Sequence, residues 1–279
     1  MTDIQIGNRK FKASGSVHVM GILNVTPDSF SDGGRYTAVY PALKRVEKMI
    51  EEGADVIDVG GESTRPGYKK ISDEEEISRT AGIIAEIKKN FDIPVSIDTY
   101  KSKVALAALQ AGADLVNDIW GLKYDSKLAG VITEFGAACC LMHNRNHTEY
   151  EDFMGEMKAD LKESLEIAHK AGIADEKIIL DPGIGFGKTY EQNLQAICKL
   201  GELRELGYPI LLGASRKSVI GLTLNLPVEE RLEGTLATTV LGVSAGCSFV
   251  RVHDVLENKR VIQMAEAVQR WNIAEAGGQ

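Results

Sequence analysis

MGILNVTPDSFSDGG, residues 20–34, links the end of an apolar run to a long polar loop. Residues 17–23 are mostly apolar and predict a strand that ends at the amide of Asn24. The Thr-Pro-Asp-Ser sequence at 26–29 and the glycine pair at 33–34 predict a loop after that strand. Parallel α/β folds place their functional residues at the carboxyl ends of strands. We therefore expect a functional site to begin at this loop.

The whole chain alternates short apolar runs with longer stretches of helical periodicity. The apolar runs are HVMGIL, ADVIDVGG, IPVSID, ADLVND, AACCLMH, KIILDPG, PILLGAS and SFVRVHD. The helical stretches include ALKRVEKMIEEG, DEEEISRTAGIIAEIKK and KADLKESLEIAHKAG. Gly53 and Gly172 stand where two of these helices should stop, and Ser72 is placed to cap another. Strands alternating with helices predict parallel strands joined by crossovers.

The pattern predicts an α/β fold of the (β/α)8 TIM-barrel type. The runs are nearly continuous in apolar residues, as expected for strands buried on both faces. An open, doubly wound sheet is the alternative, and we prefer the barrel because eight runs occur and each ends in polar residues. Residues 4–17, IQIGNRKFKASGSV, predict a β-hairpin that turns at Gly7–Asn8 and caps the amino-terminal end of the barrel. We find no linker and expect a single domain over residues 1–279.

Composition excludes several classes of protein. With 44% apolar and 26% charged residues, the chain is typical of a globular protein. The net charge of −8 argues against a nucleic-acid-binding protein, which usually carries a basic face. No apolar run approaches the ~20 residues of a membrane span, and the first residues contain no apolar signal core. The four cysteines include the adjacent Cys139 and Cys140 and form no CxxC motif, which indicates buried free thiols and a cytoplasmic protein.

Polar residues follow every predicted strand. An Asp after a strand is commonly a helix cap when taken alone. Eight polar groups at one mouth are harder to explain in that way, because buried polar groups cost free energy without partners. The residues at the strand ends are Asn24; Asp58; Asp98; Asn117 and Asp118; Met142, His143 and Asn144; Asp181; Ser215 to Ser218; and Arg251, His253 and Asp254.

Part of this set suits an anion. Arg251 and His253 are two residues apart, so on an extended segment both point to the same side. Asn24, Thr64 and Arg65 can add donors, and together these residues suit a phosphate or pyrophosphate. The alternative is an Arg–carboxylate bridge beside a packed histidine.

The rest of the set is rich in acceptors. Asp98, Asn117 and Asp181, with Lys217 nearby, match a flat heterocycle that carries several N–H donors. Lys217 would then serve a ring carbonyl or an unprotonated nitrogen. The alternative is a structural ion pair between Lys217 and Asp181.

Three common motifs are absent on close reading. GIGFGKT, residues 183–189, looks like a phosphate loop, but Pro182 stands where that motif requires its first glycine. The dinucleotide fingerprint fails because Lys188 replaces its last glycine. Residues 142–144 lack the ligand spacing of a zinc site.

Eight segments together resemble the dihydropteroate synthase family over almost the entire chain. In order, they are MGILNVTPDSFSDGG, DVGGESTRPG, SIDT, AGADLVNDI, LMHN, ILDPGIGFGKT, GASRKS and FVRVHD. Their order and spacing are those of the family, and two of them are loop motifs with no packing reason to recur. The residue after NDI, Trp120, occupies a position that varies in the family.

The resemblance implies a transferase of folate biosynthesis that joins 6-hydroxymethyl-7,8-dihydropterin pyrophosphate to para-aminobenzoate and releases pyrophosphate. It also implies a sulfonamide target, a homodimer formed through barrel helices, and Mg²⁺ as cofactor with Asn24 as a ligand.

The resemblance assigns the site residues as well. The pterin would contact Asp98, Asn117, Asp181 and Lys217, with Ile119 and Met142 lining the pocket. The pyrophosphate would contact Arg251, His253, Asn24, Thr64 and Arg65. The aminobenzoate would lie against Phe30, Pro66 and Phe186, with Ser218 at its carboxylate. The catalytic set would be Asp98, Asp181, Lys217, Arg251 and His253, beneath two closing loops, residues 26–36 and 62–72.

Two other functions remain open from the sequence. A pterin-binding methyltransferase would share the barrel and the pterin residues, but it would have no use for the pyrophosphate residues or the STRPG segment. A pterin-binding paralogue without turnover should show changes at Asn24, Arg65, Lys217 or His253, and each of these residues is present.

Overall fold

The computed structural model describes residues 2–25, 35–62 and 70–276 of the chain. The strands within these ranges are β1 (Ile4–Ile6), β2 (Arg9–Phe11), β3 (His18–Asn24), β4 (Val56–Gly60), β5 (Val95–Asp98), β6 (Leu115–Asp118), β7 (Ala138–Met142), β8 (Ile178–Asp181), β9 (Leu211–Leu212) and β10 (Phe249–Val252). The α-helices are α1 (Arg35–Glu51), α2 (Asp73–Asn90), α3 (Ser102–Gln110), α4 (Leu128–Phe135), α5 (Phe153–Lys170), α6 (Tyr190–Cys198), α7 (Ser218–Leu224), α8 (Leu232–Ala245) and α9 (Val255–Ala276).

The described strands β3 to β10 form one parallel sheet that closes into a barrel. Its order is β8-β7-β6-β5-β4-β3-β10-β9. A parallel bridge between Leu180 and Ile210 joins the two ends of that order, and the Leu180 N–H donates to Pro209 O at 2.9 Å. Helices lie between the consecutive strands. The predicted (β/α)8 barrel is therefore confirmed, and the open sheet is not the fold.

Local signals in the sequence place the helix ends correctly. The Ser72 hydroxyl accepts from the Glu75 N–H at 3.1 Å and caps α2, as predicted. Gly53 and Gly172 take φ values of 97° and 88° after α1 and α5. Such positive φ angles favour glycine, which is why both helices end there.

One strand is shorter than its apolar run. The segment PILLGAS predicts a full strand, but β9 contains just Leu211 and Leu212. Beyond it the chain leaves the sheet and turns, with the Lys217 N–H donating to Ala214 O at 3.2 Å. That turn brings Lys217 to the mouth of the barrel.

The hairpin of β1 and β2 covers the amino-terminal end of the barrel. Ile4, Ile6 and Phe11 are buried in one cluster with side chains from inside the barrel, including Leu115 and Phe249. The predicted hairpin, with its turn between Ile6 and Arg9, is confirmed. Because this end is filled by apolar side chains, polar chemistry is concentrated at the other end.

The cysteines follow the prediction with one exception. Cys139, Cys140 and Cys247 are buried free thiols. Cys198 is free but exposed, because it is the last residue of α6 on the outside of the barrel, so the prediction of burial is wrong for it. Within the described ranges, no helix is long and apolar enough to cross a membrane.

Candidate active site

Strand register brings several polar residues to one level at the carboxyl-terminal mouth. Asn24 pairs with Gly60, Gly60 with Asp98, and Asp98 with Asn117 on four adjacent strands. Asp181 is the last residue of β8, two strands further along the sheet from Asn117. The convergence expected from the strand ends is therefore present in the fold.

Arg251 connects two carboxylates inside this mouth. Its Nε donates to Asp58 Oδ2 at 2.6 Å, and its Nη2 donates to Asp98 Oδ2 at 2.7 Å. Asn117 Nδ2 lies 3.4 Å from the same Asp58 oxygen. The alternative of an Arg–carboxylate bridge is thus part of the structure, and it occupies two of the five guanidinium N–H groups. Asp58 was noted at a strand end, but no role was predicted for it.

One oxygen of Asp98 has no hydrogen-bond partner within the described ranges. Among the described residues, Asp98 Oδ1, Asp58 Oδ1 and Ser96 Oγ are buried side-chain atoms that make no hydrogen bond. Buried acceptors of this kind cost free energy unless a ligand supplies donors. The mouth therefore offers unused acceptors to a ligand with N–H groups.

Burial changes the proton affinity of the acids and the lysine at this mouth. Burial raises the pKa of Asp98 to about 7, although the positive charge of Arg251 opposes that rise. Burial also raises the pKa of Asp181, against the effect of Lys217. Loss of hydration lowers the pKa of Lys217 to about 8, and the charge of Asp181 opposes that change. Such shifts cluster at functional sites.

The side chains of Lys217 and Asp181 both approach Gly213. A Cβ at Gly213 would stand 3.4 Å from Asp181 Oδ2 and 3.9 Å from Lys217 Nζ. The ammonium group donates to the carbonyl oxygen of Ile184 and lies 4.7 Å from the centre of the Phe186 ring. The second Asp181 oxygen, Oδ1, accepts from the Gly183 N–H at 2.7 Å.

The predicted apolar lining is grouped at the same end. Ile119 and Met142 are buried in a small cluster with Tyr100, and Phe186 packs against that cluster. An apolar wall beside polar groups is the usual composition of a small-molecule site.

The remaining described site residues lie near the mouth. His253 Nδ1 and Ser215 Oγ are 2.9 Å apart, and the His253 carbonyl accepts from Arg45 Nη2 at 2.7 Å. Ser218 begins α7 and is exposed, as is the Asn24 side chain. The predicted residues Phe30, Thr64, Arg65 and Pro66 lie outside the described residues.

A buried cluster missed by the sequence analysis is centred on Lys101. Lys101 Nζ donates to Glu62 Oε2 at 2.8 Å, to Glu76 Oε2 at 2.7 Å and to Ile71 O at 2.9 Å. Glu62 Oε2 also accepts from the Ile71 N–H at 2.9 Å. Because Glu62 and Ile71 flank residues 63–69, the cluster joins the two ends of that segment. The partners are distant in sequence, so no local signal could have found them.

Comparison with known proteins agrees with this geometry. The family described as pterin binding enzyme matches residues 20–253 of the chain. The barrel and its mouth thus define a pterin-binding enzyme.

Individual relatives show to which family of pterin-binding enzymes the chain belongs. A dihydropteroate synthase from Clostridium beijerinckii is 60% identical over 268 residues, which are 96% of this chain and 100% of that protein. A crystal structure of the synthase from Clostridium difficile, in the presence of pteroic acid, has 50% identity and a TM-score of 0.89, covering 91% of this chain and 98% of that one. The Yersinia pestis synthase in a sulfonamide drug complex has 36% identity and a TM-score of 0.90, covering 96% and 100%. The chain belongs to the dihydropteroate synthase family of transferases.

Proposed function

We propose that this chain joins 6-hydroxymethyl-7,8-dihydropterin pyrophosphate to para-aminobenzoate and releases pyrophosphate. The observation that carries the proposal is the set of acceptors at the mouth, Asp98, Asn117 and Asp181, above all Asp98 Oδ1, which has no hydrogen-bond partner among the described residues. A pterin ring presents ring and exocyclic N–H donors to such a set. We place the reaction in the cytoplasm, with the whole chain, residues 1–279, acting as one domain.

Four residues are assigned to the pterin. Asp98 and Asp181 accept from its N–H groups, Asn117 contributes an amide, and Lys217 donates to the ring carbonyl or an unprotonated nitrogen. Ile119 and Met142 contact the flat faces of the ring, as their burial beside these groups supports.

The pyrophosphate is assigned to a second group of residues. Arg251 keeps N–H groups beyond the two that hold Asp58 and Asp98, and a guanidinium is suited to phosphate oxygens. His253 assists, and its ring is supported by the Ser215 hydroxyl at 2.9 Å. Asn24, Thr64 and Arg65 complete this group in the proposal.

Asn24 also fits the role of an oxygen ligand for Mg²⁺. Its Oδ1 lies 3.5 Å from the point where a Cβ on Gly60 would stand, so a glycine at that position leaves space beside the amide. No group of three His, Cys, Asp or Glu side chains in the described part of the chain is arranged to hold a metal. Mg²⁺ is commonly held by one or two protein oxygens together with substrate phosphates. Mg²⁺ bound there would neutralise charge on the departing pyrophosphate.

The para-aminobenzoate is placed closer to solvent. Phe30, Pro66 and Phe186 would flank its ring, and Ser218 at the start of α7 would meet its carboxylate. The exposure of Ser218 supports this order of depth, because Asn117 and Asp181 are buried.

The chemistry follows from the charges around the reacting methylene. Arg251 and His253 stabilise the negative charge that develops as the carbon–oxygen bond breaks, so catalysis is largely electrostatic. The remaining methylene cation delocalises into the pterin ring, and the anionic Asp98 and Asp181 stabilise it. The arylamine nitrogen then attacks the methylene carbon and loses a proton. An arylamine is nucleophilic at neutral pH, so the step needs no strong base.

We propose further that the chain forms a homodimer through its last helices. Exposed apolar side chains occur along α8 and α9, and the two helices pack against each other. They are Val240, Leu241, Met264, Val268 and Trp271. An apolar surface of this kind commonly marks a protein interface.

Pyrophosphate release tests the proposed reaction. The enzyme is incubated with the pterin pyrophosphate and Mg²⁺, with and without para-aminobenzoate. We expect release that depends on the arylamine and yields dihydropteroate. Tight pterin binding without release would instead identify a non-catalytic pterin-binding protein, and release without dihydropteroate would contradict the assigned acceptor.

A further inference from the structure

The segment GIGFGK, residues 183–188, is folded tightly against the end of β7. Gly183 and Gly187 have φ values of 69° and 53°. A Cβ on Gly183 would lie 2.0 Å from His143 O, and a Cβ on Gly187 would lie 2.6 Å from Arg145 O. Neither position admits a side chain, so the backbone of the segment is fixed against the neighbouring strand end.

Lys188 binds the backbone of its own segment. Its Nζ donates to Gly183 O at 3.0 Å and to Phe186 O at 2.9 Å, and it lies 2.8 Å from His143 Nδ1. These are three acceptors for the three N–H groups that Lys188 carries when protonated, and burial lowers the pKa of Lys188 to about 7. The contacts therefore join the first, fourth and last residues of the segment to one another and to His143, the residue that follows β7.

His143 and Asp160 hold the lysine in place. The Nδ1 of His143 accepts from Lys188, so its Nε2 carries the proton that is donated to Asp160 Oδ2 at 3.0 Å. Arg145 Nε donates to the same Asp160 oxygen at 2.6 Å. Burial lowers the pKa of His143 to about 4, which keeps the ring neutral and able to accept. Lys188 and Asp160 together therefore fix the tautomer of His143, with its proton on Nε2.

The same segment supports two residues assigned to the pterin. Ile184 O accepts from Lys217 Nζ, and the Phe186 ring lies under that ammonium. The Gly183 N–H donates to Asp181 Oδ1. Displacing residues 183–186 would therefore displace Lys217 and Asp181, the two residues assigned to the pterin ring.

We propose that Lys188, held by His143 and Asp160, is a positioning residue that sets pterin affinity through residues 183–186. The inference rests on the proposed roles of Asp181 and Lys217. Lys188 itself bonds to backbone carbonyls and to His143, and its effect on substrate passes through Lys217 and Asp181.

Binding of 6-hydroxymethylpterin, measured by calorimetry on the purified full-length enzyme, tests the inference. We expect Lys188→Met to weaken binding by about tenfold to a hundredfold, since small misplacements have effects of that size. The KM for the pterin pyrophosphate should rise in parallel, with the KM for para-aminobenzoate unchanged. Lys170→Met, which alters a lysine on α5 that is 80% exposed, is the matched control and should leave binding unchanged.

Two substitutions at His143 separate positioning from general loss of structure. Asn at 143 retains an acceptor near the Nδ1 position for Lys188, whereas Gln retains a donor near the Nε2 position for Asp160. We expect His143→Asn to bind the pterin within a few-fold of the original protein and His143→Gln to resemble Lys188→Met. The opposite order would overturn the inference, as would unchanged pterin affinity in Lys188→Met or an equal rise in both KM values.

Parallel measurements on Lys217→Met and Asp181→Asn distinguish the inference from the proposed function. If these two variants bind the pterin normally, the assigned pterin residues are wrong. If they lose affinity while Lys188→Met and His143→Gln do not, the positioning role alone is wrong. Thermal melting of each variant identifies any that fails to fold.

Discussion

Arg251 and Asp98 are joined across the barrel by a hydrogen bond of 2.7 Å from Nη2 to Oδ2, although 153 positions separate them in the chain. The same guanidinium also binds Asp58. This contact couples a residue assigned to the pyrophosphate with one assigned to the pterin. It uses one oxygen of Asp98 and leaves the other unpaired among the described residues.

Replacing Asp98 by Asn preserves the shape of the side chain and removes its charge. We expect kcat/KM for the pterin pyrophosphate to fall by ~10²–10³, the usual effect of losing one electrostatic group at a reacting centre. Steady-state kinetics would measure the change. Asp92→Asn, at a side chain that is 84% exposed, should leave kcat/KM as it was. Normal turnover in Asp98→Asn would remove Asp98 from the mechanism.

Replacing Arg251 by Met leaves Asp58 and Asp98 facing each other without a cation. We expect the free energy of unfolding to fall by ~3–5 kcal/mol, because one partner of a buried ion pair has been removed. Urea denaturation followed by circular dichroism would measure it. Arg270→Met alters a guanidinium that is 67% exposed, and we expect that change to stay within about 0.5 kcal/mol. Equal stability of the two variants would mean that the pair is dispensable for folding.

The pH dependence of kcat/KM should be bell-shaped. As pH rises through about 7, Asp98 loses its proton and activity rises. As pH rises through about 8, Lys217 loses its charge and activity falls. The two apparent values belong to the interacting set of groups. Lys217→Arg keeps the charge at high pH, so its profile should lose the alkaline limb; persistence of that limb would assign it to another group.

Lys101 forms ion pairs with two buried carboxylates, Glu62 and Glu76. Lys101→Met should destabilise the protein by ~3–5 kcal/mol, since Glu62 and Glu76 are then left as buried acids without a cation. Lys103→Met is the matched control, because its side chain is 69% exposed and its partner is Asp73 at 3.4 Å. Chemical denaturation of both variants would compare them. A small loss in Lys101→Met would show that the two acids are accommodated as neutral groups.

The proposed dimer is tested on α8. Leu241→Arg places a charge on a side chain that is 54% exposed, and we expect it to yield monomers in sedimentation experiments. Leu194→Arg makes the same change on α6, where the leucine is 41% exposed, and assembly should be unaffected. Dissociation by both variants, or by neither, would place the interface elsewhere.

The sequence predicted the barrel and its mouth because both depend on local periodicity. Apolar runs identified the strands, and polar residues at their ends identified the end that carries Asp98, Asn117 and Asp181. These signals need no knowledge of distant partners.

Long-range pairings could not be read in this way. Nothing in the strand pattern connects Asp58 to Arg251, or Lys101 to Glu76, because each pair forms only when separate elements of the chain pack together. Lys188 was noted within a rejected phosphate-loop motif, and its bond to His143 required the packing of two strand ends. The length of β9 also depended on a turn that an apolar run does not reveal.

The hairpin of β1 and β2 closes the amino-terminal end of the barrel. Ile4, Ile6 and Phe11 fill the amino-terminal opening. Substrates and products must therefore pass through the carboxyl-terminal end of the barrel. In the proposed arrangement the pterin contacts buried Asn117 and the aminobenzoate lies nearer to exposed Ser218, so we expect the pterin to bind before the aminobenzoate. We expect the product to leave through the same carboxyl-terminal end before the next pterin can bind.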